Sequence, residues 1–160
     1  MEKHPFSPAE FADIYSKVPR LTAEVVCTTA DGVVLTKRAI KPAKGQWHLP
    51  GGTVHFGEHL HDAVRRVARC ELGIAVTVGR LLGYIEYPSL LRDGYRGWPV
   101  GVAFEATPTG RLLVTDEQAD EVSWFRSVPP GTLPEQAAFL ERFFAAEVAV
   151  GVSGVSTNSP

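Results

Sequence analysis

Between residues 52 and 74 the chain reads GTVHFGEHLHDAVRRVARCELGI. Glu58, Arg66 and Glu71 carry its chemistry, bracketed by Gly52 and Gly73. The segment 60–72 has helical periodicity, with Ala63, Val64, Val67, Ala68 and Leu72 on or near one face, and Gly73 closes it. On such a helix positions 67, 70 and 71 are related by i, i+3 and i+4, so they share a face. Three carboxylates there would hold divalent cations, because Mg2+ takes about six oxygen ligands, waters and phosphate oxygens among them. This chain has Val67, Cys70 and Glu71 at those places. One carboxylate disfavours a multi-metal cluster and leaves a single Mg2+ site feasible, completed by other oxygens.

The elements that must hold this segment are legible on either side. Ser7-Pro8-Ala9-Glu10 is a helix start, with Ser as N-cap, Pro at N1 and Glu at N3. Phe11, Ile14 and Tyr15 continue it as an apolar stripe to about Lys17. The runs 22–29 and 33–36 are β-rich and joined across Asp31-Gly32, a hairpin signal. Residues 41–45 form a Pro/Gly loop. Residues 75–87 hold two short strands or one bent one, 89–98 read as a polar, aromatic loop, and 100–106 and 121–125 as strands. Pro134 opens an amphipathic helix carrying Ala138, Phe139, Phe143 and Phe144. The expected organisation is one domain, residues 1–148, with a disordered tail over 149–160.

Composition narrows the function classes. The 160 residues are 44% hydrophobic and 21% charged, with a net charge of −2. No basic footprint of a nucleic-acid binder is present. Cys27 and Cys70 have neither CxxC nor metal-type spacing. Without a secretory h-region or a run approaching 18 apolar residues, the expectation is a cytoplasmic protein that binds neither nucleic acid nor membrane.

Gly52, Glu58, Arg66, Glu71 and Gly73 match, at the right spacings, the signature of Nudix hydrolases, which is Gly, five residues, Glu, seven residues, then Arg-Glu-U-x-Glu-Glu-x-Gly-U with U aliphatic. Ala68 and Ile74 fill the aliphatic places, while Val67 and Cys70 replace two of the glutamates. The lead-in GQWHLPGG over 45–52 is similar to the family's approach to the motif. The resemblance implies an α/β/α sandwich, with a mixed sheet, the motif helix on one side and the C-terminal helix on the other.

Within the family the chain resembles the GDP-mannose mannosyl hydrolases over about residues 6–126. That subgroup lacks the same two glutamates and uses one Mg2+. The resemblance implies metal ligation by Gly51, through its carbonyl, by Glu71 and by Gln118. It implies a substrate-binding set of Arg38, Thr53 and Arg66, with Arg38 also stabilising the departing diphosphate and Arg66 commonly paired with Glu58. It also makes a homodimer the expected assembly. Two departures stand out. The subgroup's general base, a His, is replaced by Ala119, and a phosphate-binding Arg by Thr53. Replacement bases are Asp120 and Glu121 first, then Glu117, His55 and His61. The four histidines 48, 55, 59 and 61 do not form a known zinc pattern. The aromatic segment Tyr84, Tyr87, Tyr95 and Trp98 could stack on a base or simply pack.

The leading expectation is Mg2+-dependent hydrolysis of a small-molecule nucleoside diphosphate derivative, with a sugar nucleotide as one such substrate. The rivals are a Nudix hydrolase of another organic diphosphate, such as a prenyl diphosphate, and a catalytically silent nucleotide-binding Nudix domain.

Overall fold

The computed structural model describes residues 5–110 and 119–153, with side chains over 5–110 and 121–150. Helix α1 (Pro8–Tyr15) begins with the expected capping box. Ser7 Oγ accepts from the Glu10 amide, and the Glu10 side chain accepts from the Ser7 amide. Strands β1 (Pro19–Thr29) and β2 (Gly32–Arg38) form the hairpin, followed by the short strands β3 (Trp47–His48) and β4 (Gly51–Thr53). Helix α2 (Leu60–Leu72) carries the motif and ends at Gly73, whose φ of 63° is the left-handed cap that glycine reaches without strain.

Strand β5 (Val76–Glu86) is one strand with register shifts near Leu81. Next comes α3 (Pro88–Arg92), a short helix where a loop was expected. It is held from a distance: Glu135 accepts from the Ser89 amide and hydroxyl, both at 2.7 Å. A contact 46 residues away leaves no local signal. Strands β6 (Trp98–Pro108) and β7 (Ala119–Phe125) follow, then α4 (Pro134–Ser153). Residues 149–153, expected in the tail, continue that helix; residues 154–160 lie outside the described part.

The seven-stranded sheet runs β3-β2-β1-β6-β5, with β4 on β1 and β7 on β2. β1 and β6 are parallel and the other pairs antiparallel, so the sheet is mixed. Side chains alternate across β1. Ala23, Val25 and Cys27 face the α2 layer with Val64, Val67 and Leu72. Val26 faces the α4 layer with Phe139, Leu140 and Phe143. The result is the expected α/β/α sandwich. Both layers are apolar cores, and each buried Leu or Val side chain contributes about 1.5–3 kcal/mol. On the Val26 face, the N-terminal half of β1 instead carries Arg20, Thr22 and Glu24.

Candidate functional site

Where β1 pairs with β4, a cavity of about 600 Å³ opens. The motif contributes Gly51, Gly52, Thr53, Arg66, Cys70 and Glu71 to its wall. β2 and the following loop contribute Arg38, Lys41 and Gln46. The other wall is the polar face of β1, together with Tyr87, Tyr95 and Gln136.

The motif loop is braced by charge. Arg66 Nε and Nη2 donate to the two Glu58 carboxylate oxygens at 2.7 and 2.8 Å, and Nη2 also donates to the Thr53 carbonyl at 2.8 Å. Glu58 Oε2 accepts from the His55 amide at 2.9 Å. The Arg66 fork holds the Glu58 carboxyl below its usual range. Glu71 accepts from the Gly51 amide at 3.2 Å, which brings the surviving motif acid to the Gly-Gly turn. Val67, in the place of a missing acid, is 2% exposed and belongs to the α2 core. A Cβ on Gly52 would meet it at 3.0 Å.

Sequence reasoning missed Glu24. This acid lies fully inside, opposite Gly51 in the β1–β4 ladder and beside Gly101 of β6. A Cβ on Gly51 would collide with its carboxylate, and one on Gly101 would stand 2.6 Å from Oε1, so both glycines make room for it. Burial pushes the Glu24 carboxyl up, against donors from Thr22 and Tyr87 and the positive charge of Arg20 and Arg38. A chain of buried polar groups supports it. Thr22 Oγ1 donates to Glu24 at 2.8 Å, Gln136 Nε2 donates to the Tyr87 hydroxyl at 2.9 Å, and Gln136 Oε1 accepts from the Leu49 amide at 2.6 Å. The available signal was alternation: Arg20, Thr22 and Glu24 recur with period two on a strand whose next residues are apolar.

The expected site residues divide into three groups. Arg38, Gly51, Thr53, Arg66 and Glu71 meet in the cavity, with His55. Glu121 does not line it; its carboxylate is exposed and stands 3.6 Å from Lys37 Nζ across the β2–β7 ladder. His61 also stands away, edge-on to Phe104 at 5.2 Å. Gln118, Glu117 and the Asp120 side chain lie outside the described residues. His48 lines the cavity as a neutral ring. Its Nδ1 bonds the Leu49 carbonyl at 2.7 Å, and burial pushes its pKa down to about 4. Of the aromatic segment, Tyr87 and Tyr95 reach the cavity, whereas Tyr84 is exposed.

The donor set suits a hard divalent cation. The Glu71 and Glu24 carboxylates approach Gly51 from two elements, and every candidate donor is an oxygen. No cluster of three or more His, Cys, Asp or Glu side chains placed to hold a metal ion is found among the described residues. No described helix is long and apolar enough to cross a membrane.

The chain has clear relatives. It is 34% identical over 135 residues to a low-salt glycan biosynthesis protein, Agl8, of Haloferax volcanii, covering 82% of this chain and 86% of that one. It is 32% identical over 107 residues to an ADP-ribose pyrophosphatase of Methanocaldococcus jannaschii, covering 67% of this chain but 62% of the relative. A MutT Nudix hydrolase from Burkholderia pseudomallei superposes with a TM-score of 0.67 at 26% identity, over 78% of this chain and 98% of that one. Residues 18–145 match the NUDIX domain, so the chain belongs to the Nudix family.

Proposed function

We propose that the protein hydrolyses a nucleoside diphosphate derivative, with a nucleoside diphosphate sugar as the leading substrate, at a site that takes one divalent cation, Mg2+ in the first instance. One observation carries this reading: a single cavity holds Glu71 against Gly51, the buried acid Glu24, and the cations Arg38 and Lys41. Two relatives support the substrate class. One is named for glycan biosynthesis and the other for ADP-ribose, itself a nucleoside diphosphate joined to a sugar.

Glu71, the Gly51 carbonyl and Gln118 would hold the cation, with Glu24 beside them. When bound, the cation supplies charge to the diphosphate oxygens and lowers the pKa of water. The protein's own groups do the rest. Arg38 takes the diphosphate through its planar fork, a better geometric match to phosphate than an ammonium, and Lys41 adds a point charge at the same wall. Arg66 is held by Glu58 and braces the loop. The proton acceptor absent at Ala119 is Glu24, whose raised pKa suits exchange nearer neutrality than an exposed glutamate. Water attacks the sugar's anomeric carbon or a phosphorus, its proton passes to Glu24, and the bond from that atom to the oxygen of the leaving fragment breaks, the electron pair staying on that oxygen.

Turnover of a panel of nucleoside diphosphate sugars, nucleoside diphosphates and prenyl diphosphates with Mg2+ tests the reading. Sugar nucleotides should react fastest. Reaction in 18O-water then identifies the bond: label in the sugar means attack at carbon, and label in a phosphate means attack at phosphorus. Binding of a nucleotide without turnover of any panel member would replace the enzyme with a silent binding domain.

A further inference from the structure

We propose that Arg20 is a second diphosphate-binding arginine, which supplies from β1 the guanidinium that the sequence lacks at Thr53. The inference rests on the diphosphate reading above and adds a residue to it. Arg20 lines the cavity on the same strand face as Thr22 and Glu24. Its Nη1 donates to Thr53 Oγ1 at 3.2 Å, so a guanidinium reaches the position where the resembling subgroup has its own arginine. Arg20 Nε is buried and has no hydrogen-bond partner among the described residues. A buried donor left so is costly, and a ligand oxygen would satisfy it.

The side chain is also held in place. Its Cζ lies 5.3 Å from the Phe11 ring centroid and 5.8 Å from that of Tyr95. Two aromatic contacts fix the guanidinium and shield it from water, which strengthens its pull on an anion. Arg20 forms no ion pair with Glu24 among the described residues, although its charge is felt there. Arg38 and Lys41 add two more cations to the wall, against the carboxylates of Glu24 and Glu71. His48 adds none, being neutral. A guanidinium on each side of the cavity, Arg38 from β2 and Arg20 from β1, suits a group with two phosphates.

The experiment is calorimetric titration of inorganic diphosphate into the full chain with Mg2+, for the wild type, Arg20→Gln, Arg20→Lys and Arg38→Gln. The expected result is binding about tenfold weaker or more for Arg20→Gln. Arg20→Lys should recover only part of the loss, because it keeps the charge but not the fork. If Arg20→Gln fails to fold, Arg20→Lys decides alone. Affinities within twofold of wild type for the folded Arg20 variants, with binding lost in Arg38→Gln, would overturn the role of Arg20 and leave the diphosphate site standing. A wild type that binds no diphosphate would overturn both.

Discussion

Two acid–arginine couples stand beside the same cavity and end differently. Glu58 and Arg66 meet in a bidentate pair and also tie down the Thr53 carbonyl and the His55 amide. Each group satisfies the other, and the result is a rigid loop. Glu24 and Arg20 sit four residues apart on one face of β1 and make no ion pair with each other among the described residues. Burial raises the Glu24 carboxyl, and Arg20 Nε has no hydrogen-bond partner among the described residues. The first couple is architecture. The second holds unfavourable desolvation in the free protein, where a ligand can relieve it.

Variants can break this contrast. The largest loss of activity short of Glu24 is expected at Glu71, the proposed cation ligand that accepts from the Gly51 amide. Glu71→Gln should lower Mg2+-dependent turnover on the order of 10³-fold, measured as kcat at saturating Mg2+. Arg66→Ala should cost about 3 kcal/mol in urea unfolding, because it leaves Glu58 half-buried and unpaired. A loss of activity from Arg66→Ala with unchanged stability would move that couple from architecture into chemistry.

His48 gives a pH test. Its folded pKa of about 4 lies below the ordinary 6.5, so the fold prefers the neutral ring. Stability should therefore fall as pH drops from 6.5 toward 4, by up to about 3 kcal/mol, and His48→Gln should flatten that limb of the melting curve.

The smallest effect on stability has the opposite sign. Glu24 is raised from 4.5, so its ionised form is the disfavoured one in the fold. Glu24→Gln should leave stability little changed at acid pH, and raise the melting temperature relative to wild type as pH climbs above 4.5, while abolishing turnover. A variant that melts lower at pH 8 would mean that Glu24 is a structural partner like Glu58.

The motif half of the site was legible because it is local. Gly52, Glu58, Arg66, Glu71 and Gly73 lie on one loop and one helix, where spacing alone specifies which side chains share a face. The capping box at Ser7 and the turn at Asp31-Gly32 were legible for the same reason. Glu24 and Arg20 were not, since a charged residue on a strand reads as solvent-facing until something covers it. Tyr87 at the start of α3, Gly101 of β6, Gln136 of α4 and Phe11 of α1 cover them. Glu121 erred in the other direction. Its place in sequence near the absent base was suggestive, yet the β2–β7 register turns it to Lys37 and solvent.

The sequence by itself determined the family, the sandwich and the single surviving motif acid, because periodicity and fixed spacing act over a few residues. Only the tertiary structure decided which charges are buried. Desolvation depends on what packs over a group, and that is set by chain segments far apart in sequence.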